Sequence, residues 1–444
     1  MREIKIALVS LGCAKNLVDS EVILAGLRQE GFTLTVEHSE AEVIIVNTCG
    51  FIEAAKDESI AVILAKARFK EQNCRLLVAT GCLAQRYGEE LLAEMPELDA
   101  VVGVHDLHGV SEAIRRGLCG EKKTVLTAGE YQAPEDAPRL MATPSHSAYL
   151  KIAEGCDNHC TYCAIPAIRG PYRSRSRQAV LAEAQSLVAG GVKELNLVAQ
   201  DITVYGLDRT GKMEIPELLR ELSLLPDLSW IRLLYAYPER LSDRLIAAVA
   251  EEAKVCRYLD LPLQHGADKI LRRMGRKLTG DNMLRLLEKL RREIPGVTLR
   301  SSFIIGFPGE REDDFQQLLE FLAAARLERA GFFTYSREEG TPAASFRRQV
   351  AEEVKQERLT QAVARQSEIM AEKNGQLVGS VLTVMLDGKS AQDAGVTLSR
   401  TEGQAPEVDG YVRLRGTREP HGTLVHVRIT GFDGVDLLGE IVSF

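Results

Sequence analysis

Residues 154–166 read EGCDNHCTYCAIP and set Cys156, Cys160 and Cys163 at C-x-x-x-C-x-x-C spacing. Three thiolates on one short loop can each take one iron of a four-iron cubane. The fourth iron then lacks a protein ligand from this loop, and a substrate can coordinate there. Zinc is the main metal alternative, although structural zinc sites normally close with four protein ligands. An incidental grouping is the other alternative. The stretch before the loop, Tyr149–Ile152, reads as a strand. The loop is therefore expected at a strand's carboxyl end, where α/β barrels carry their chemistry.

Working outward, residues 148–372 alternate strand and helix patterns. Strands are expected at Tyr149–Ile152, Glu194–Val198, Trp230–Leu234, Tyr258–Leu263, Thr298–Ile305 and Gly331–Tyr335, with helices such as Ala179–Ala189, Asp243–Glu251 and Asp281–Arg292 between them. About six such units predict a partial TIM-like barrel. A polar helix, Ala351–Asn374, closes it. Upstream, Ile4–Val9, Val43–Val46 and Leu76–Ala79 read as buried parallel strands, and Val22–Arg28 and Glu53–Arg68 as amphipathic helices. That order predicts an open α/β sheet. Pro134, Pro138 and Pro144 mark a linker between the two. From Gly375 onward Val, Thr and Gly dominate, and strands at Val381–Leu386, Val412–Leu414 and Leu424–Ile429 predict a small β-barrel. The expected domains are 1–128, a linker at 129–145, a barrel at 146–373 and a terminal β-barrel at 374–444.

The chain has 444 residues, 27% of them charged, a net charge of −8 and nine cysteines. At roughly 150 residues per domain this length suggests about three domains. Composition excludes a disordered chain or a disulfide miniprotein, and an odd, sparse cysteine count argues against a complete disulfide framework. Met1–Ser10 reads as a strand and not a signal peptide. No apolar run reaches membrane-spanning length, so a cytoplasmic, reducing address is expected. Residues 1–130 carry net −6, 131–374 carry +1, and 375–444 carry −3. A terminal barrel that grips RNA would be expected to be basic. This one is mildly acidic, which favours a basic protein partner, with a solvated acidic surface as the plain alternative.

A second constellation emerges from position. Cys13 lies in SLGCAKN, Cys49 in VNTCG and Cys82 in ATGCLAQ, each just beyond a predicted parallel strand. All three then fall at one edge of the sheet, where doubly wound folds bind ligands. A metal or cluster site is expected, against the alternative of three simply buried thiols. Cys74, Cys119 and Cys256 lack such a context and are expected to be structural.

The C-x-x-x-C-x-x-C loop resembles that of the radical S-adenosylmethionine superfamily. The resemblance implies a 4Fe–4S cluster whose open iron binds the amino and carboxylate groups of S-adenosylmethionine, and electron transfer that cleaves it to a 5′-deoxyadenosyl radical. Gly306 and Gly309, in GFPGE after the strand ending near Ile305, then become a glycine-rich approach to that cofactor. Gln200, Asp201 and Gln264 (followed by His265) become polar cofactor contacts at strand ends. A bare turn at Gly306–Gly309 and a helix cap at Gln200/Asp201 are the alternatives.

Both cysteine sets and the terminal β-barrel together resemble the methylthiotransferase family over essentially the whole chain. The family implies a second 4Fe–4S cluster on Cys13, Cys49 and Cys82, a C-terminal TRAM barrel, and two equivalents of S-adenosylmethionine, one methyl donor and one radical source. One branch, MiaB, modifies isopentenylated adenosine in tRNA. The other, RimO, modifies an aspartate of small-subunit ribosomal protein S-twelve. LGCAKNLVDSE around Cys13, AQDITVYG at Ala199–Gly206 and YSREEGTPAA at Tyr335–Ala344 resemble the RimO branch; Glu338 and Glu339 stand where the tRNA branch has Arg-Pro. Ala14 and Ile202 depart from its common residues without touching a cysteine.

The implied reaction adds a methylthio group at an unactivated aspartate β-carbon, which a radical can attack and a side-chain base cannot. A sulfur donor and an electron donor are required partners that the sequence leaves unidentified. The competing readings are a tRNA methylthiotransferase, a plain methyltransferase and a non-catalytic iron–sulfur or RNA-binding module. Glu402, Glu407 and Asp409 are the acids expected to steer a basic ribosomal protein. For Arg169, Arg173, Arg175 and Arg177 an active-site role is favoured over RNA phosphate contact, with a solvated or structural face as the equal alternative.

Overall fold

The computed structural model describes residues 4–121, 123–127, 135, 137–417 and 419–442. Residues 128–134 and 136, much of the expected linker, lie outside the described residues, as do Met1–Glu3. The chain divides into two units, 1–142 with 153–179 and 336–344, and 143–152 with 180–335 and 345–444.

In the first unit, apolar runs make a six-stranded parallel sheet. Its strands are β1 (Lys5–Ser10), β2 (Thr33–Leu34), β3 (Val43–Thr48), β4 (Leu76–Gly81), β5 (Ala100–Val102) and β6 (Thr124–Leu126). Their spatial order is β2-β1-β3-β4-β5-β6. Every residue of β3 and β4 is buried, as expected for strands covered on both faces. Ile44 and Val46 enter one core with Leu77 and Ala79, while Val43 and Ile45 enter the other with Ile6 and Val78. The intervening helices are α1 (Ala14–Gln29), α2 (Glu53–Ala67), α3 (Cys82–Glu94) and α4 (Gly109–Leu118). The strand order reverses direction at β1 and β3, which creates a topological switch point at their carboxyl ends. β2, β5, β6, α3 and α4 are additions to the expected pattern; three of them are strands of only two or three residues, too short to show a period.

The chain then supplies β7 (Ser147–Lys151) to the second unit and returns to the first as a ribbon of β8 (Ala153–Glu154) with β9 (Arg173–Ser174). Between the ribbon strands lie the cysteine loop and helix α5 (Ile165–Arg169). Ala164 and Ile168 pack against Cys82 and Val104.

The second unit has a parallel sheet of β7, β10 (Glu194–Val198), β11 (Trp230–Leu233), β12 (Val255–Asp260), β13 (Thr298–Ile305) and β14 (Arg329–Thr334). These neighbour one another in sequence order and the sheet is open. This is the expected partial barrel wall. The helix expected to stop at Asn374 runs Glu352–Leu377. It passes through Gly375, where the composition changes, and the chain turns at Gly379 with φ +89°. β15 (Val381–Lys389), β16 (Val396–Thr401), β17 (Val412–Arg415), β18 (Leu424–Asp433) and β19 (Asp436–Ile441) then close a barrel around Val384, Leu386, Val412, Leu414, Val427 and Leu437.

This barrel is joined to the parallel sheet by buried charge. Glu194, the first residue of β10, accepts from Arg232 (3.0 and 3.1 Å), from Arg400 of β16 (2.7 and 3.1 Å) and from Ser147 (2.9 Å). Arg400 also donates to Asp387, which meets His146 at 3.0 Å. Nearby, the Tyr258 hydroxyl donates to Asp409 at 2.6 Å, and Arg300 lies 3.3 Å from the same carboxylate. The expectation that Asp409 steers a partner is therefore corrected: it is 3% exposed and neutralises the sheet's own arginine. Glu402 accepts from the Arg257 backbone N–H at 3.2 Å, and only Glu407 of that trio is exposed.

Candidate functional site

Cys13 follows β1 as the N-cap position of α1, Cys49 directly follows β3, and Cys82 directly follows β4 as the first residue of α3. Ser10 pairs with Asn47 and Thr48 with Gly81, so all three cysteines leave the sheet at one edge. Glycines let their loops touch. A Cβ on Gly12, whose φ is +86°, would stand 2.9 Å from Cys49 Cβ and 3.2 Å from its sulfur. A Cβ on Gly50 would stand 2.8 Å from the Leu83 backbone.

The thiols sense one another. Protein surrounding Cys13 raises its pKa, but Lys15, Arg169 and the N–H groups of Asn16 and Lys15 outweigh this and hold it below the ordinary thiol value. Burial, with a contribution from Cys13, pushes Cys49 up. Burial pushes Cys82 to about 11 against the pull of Arg169. Gathering three thiolates at this edge requires a cation or cluster to replace their protons.

The second cysteine set belongs to the same unit. The Cys156 N–H donates to Gly170 O (3.1 Å), the Cys163 N–H to Cys160 O (3.1 Å) and the Asn158 N–H to Cys156 Sγ (3.4 Å). The Ala343 N–H pins the loop at Thr161 O (2.9 Å). Burial raises Cys163 to about 12, and Lys15 bears electrostatically on both Cys163 and Cys13.

Against the first set lies Arg169, 2% exposed. It donates to Asp19 (3.0 Å), Glu154 (2.9 Å) and Asn16, and through Nε and Nη2 to Cys82 Sγ, both at 3.4 Å. Asn16 in turn donates to Thr48 O (2.8 Å) and Leu11 O (3.1 Å), bracing the Cys49 and Cys13 loops. Of the arginine run, Arg169 is thus an interior residue of the site. Arg173 donates back to Arg169 O, and Arg175 to Glu135 O. Asn16, Asp19 and Glu154 had no assigned role in the sequence. The signal for the first two was the run of polar residues at positions 16, 19 and 20 on one face of α1; Glu154 lies on β8, two residues before Cys156.

Segment 336–344 is fixed by Glu338, which binds Arg86 (2.6 Å), Lys56 (3.2 Å) and the Ser336 hydroxyl (2.6 Å). Arg86 also donates to Gly50 O (3.0 Å), beside Cys49. The acidic residue that distinguished this segment in the sequence therefore orients the segment.

In the second unit, the expected cofactor contacts stand at the carboxyl edge of the parallel sheet. Asp201 is buried, accepts from the Thr203 N–H (3.0 Å) and pairs with Arg240 (2.9 Å), so it caps the turn that follows. Gln264 adopts φ +73° while its backbone bonds to Ser302 and Ile304 of β13. Tyr235, past β11, also has a left-handed φ, +64°. Such strained backbone gathers at functional sites. Gln200 follows β10 by two residues. Gly306 and Gly309 both have positive φ, and Glu310 ties their loop through the Gly306 and Phe307 N–H groups (2.8 and 3.2 Å) and Arg358 (2.9 Å).

Among the three remaining cysteines, burial raises Cys74 to about 11 and Cys256 to about 12, as structural thiols should be; Cys119 is exposed at the end of α4.

Among the described residues no group of three His, Cys, Asp or Glu is gathered around a single ion. A cubane asks for something different, because each thiolate takes its own iron corner. The donor chemistry fits two such groups: thiols only, three in each set. No helix among the described residues is long and apolar enough to cross a membrane.

Residues 5–103 match the Uncharacterized protein family UPF0004, residues 150–322 the Radical SAM superfamily and residues 378–442 the TRAM domain. The chain is 49% identical to the ribosomal protein uS12 methylthiotransferase RimO of Pelotomaculum thermopropionicum, with 99% of each chain covered. It is 47% identical to that of Geobacter sulfurreducens, with the same coverage. Its fold resembles the radical S-adenosylmethionine methyltransferase TsrM from Kitasatospora setae. There the TM-score is 0.58 at 16% identity, covering 83% of this chain and 89% of that one.

Proposed function

The chain belongs to the RimO family of ribosomal protein uS12 methylthiotransferases, and from that premise we propose that it adds a methylthio group to the β-carbon of an aspartate in uS12, the S-twelve protein, in the cytoplasm. The observation that carries the reading is the meeting of Cys13, Cys49 and Cys82 at one sheet edge, in the same unit as the Cys156, Cys160 and Cys163 loop.

Cys156, Cys160 and Cys163 would hold one 4Fe–4S cluster, and Cys13, Cys49 and Cys82 the other. Bound there, the first supplies the electron for reductive cleavage of S-adenosylmethionine, and the second an open iron for a sulfur atom. The rest is work for the chain. Arg169 and Lys15 supply positive charge where thiolates collect. Asn16 holds two cysteine loops by their carbonyls. Gln200 and Gln264 are the side chains proposed to meet S-adenosylmethionine, with Gly306 and Gly309 giving its approach. Asp201, engaged with Arg240 and Thr203, shapes the adjoining turn.

Intact mass of uS12 from cells with and without this gene tests the reading. The methylthio increment should vanish in the deletion and return on complementation. An unchanged uS12 with loss of methylthio groups from tRNA would reject it in favour of the tRNA activity. Anaerobic reduction with S-adenosylmethionine should release 5′-deoxyadenosine; S-adenosylhomocysteine without it would indicate a plain methyltransferase.

A further inference from the structure

Arg169 follows Cys163 by six residues, yet its guanidinium is spent on the other cysteine set. Asp19 and Glu154 account for Nη1. Neither needs Nε or Nη2, which both aim at Cys82 Sγ from 3.4 Å, while Nη2 also reaches the Asn16 carbonyl. Asn16 is fixed in the accepting orientation because its amide nitrogen serves Thr48 O and Leu11 O. A planar fork held on two edges by Asp19 and Asn16 cannot turn away from the sulfur. Hydrogen bonds to ligand sulfurs and nearby positive charge both stabilise the reduced, more negative state of an iron–sulfur cluster.

We propose that Arg169 is a positioning residue that orients the Cys82 sulfur and raises the reduction potential of the cluster held by Cys13, Cys49 and Cys82. The helix that follows one cluster's ligands thereby tunes the other cluster. The inference rests on the reading of these three cysteines as cluster ligands.

The test uses the full chain carrying Cys156→Ala, Cys160→Ala and Cys163→Ala, so that a single cluster contributes signal. Arg169, Arg169→Lys and Arg169→Gln versions are compared by iron per chain and by redox titration followed by electron paramagnetic resonance. The midpoint should fall from Arg to Lys, as the fork to sulfur is lost, and again to Gln, as the charge is lost, with iron largely retained. Retained iron with an unchanged midpoint overturns the inference and leaves the cluster reading intact. A chain without iron, when Arg169 is present, overturns both. A measurement free of Arg169 substitutions guards against misfolding. With arginine labelled by nitrogen-15, pulsed resonance of the reduced cluster should show a nitrogen-15 coupling that nitrogen-14 replaces in unlabelled chain, and its absence overturns the inference.

Discussion

Glu194→Gln should weaken the second unit, and the loss should depend on pH in a defined direction. Burial by itself would raise the Glu194 carboxyl; Arg400 and Arg232 outweigh it and hold its pKa at about 2, against an ordinary 4.5. A folded value below the unfolded one stabilises fully above about pH 4.5 and loses its effect as pH falls toward 2. At 1.36 kcal/mol per unit the contribution is about 3 kcal/mol. Removing one partner from a buried ion network costs about 3–5 kcal/mol, which agrees, since Arg400 would keep Asp387 while Arg232 would keep only the Glu402 backbone carbonyl. Trp230 is the chain's one tryptophan, is 8% exposed and pairs with Glu194 across β10 and β11. Its fluorescence therefore reports the affected place. Urea titration at pH 7 should show the variant's midpoint lowered by about 1 M or more. The gap between variant and parent should shrink as pH falls from 5 to 3. Equal midpoints at pH 7, or a gap that stays constant with pH, would refute the assignment of Glu194 as the charged centre of this junction.

Gly12→Ala places a methyl group 2.9 Å from Cys49 Cβ at a left-handed φ; it should cost about 1–2 kcal/mol and lower iron bound at the Cys13 set, measured in a chain lacking the Cys156 set. Cys13→Ala and Cys156→Ala should each lose one cluster's iron and sulfide on chemical analysis, and unchanged iron in Cys13→Ala would remove that residue from the ligands. Tyr258→Phe leaves Asp409 short of one buried donor and should lower stability by about 1–3 kcal/mol in a thermal melt. Glu407→Lys, at an exposed position, should leave the same melt unchanged.

Much of the site was legible because its chemistry depends on residue type and spacing. C-x-x-x-C-x-x-C is local, and Cys13, Cys49 and Cys82 each follow a strand whose apolar run is unmistakable. β2, β5 and β6 were not legible, since two or three residues carry no period and form only where a neighbouring strand offers hydrogen bonds. Asp409 misled for a related reason. A carboxylate in a glycine-rich turn looks solvated until the tertiary structure places Tyr258 and Arg300 beside it.

By itself the sequence determined the two thiol sets, the order of α/β sheet, partial barrel and terminal β-barrel, and the family. Each follows from local patterns of side-chain type along the chain. Only the tertiary structure decided where the charges go. Glu194 and Arg400 are 206 residues apart and Arg169 and Asp19 are 150 apart. A buried charge takes whichever opposite charge the packing brings near, so Arg169 became part of the cysteine site, and Arg400 and Asp409 of the terminal barrel became part of its attachment.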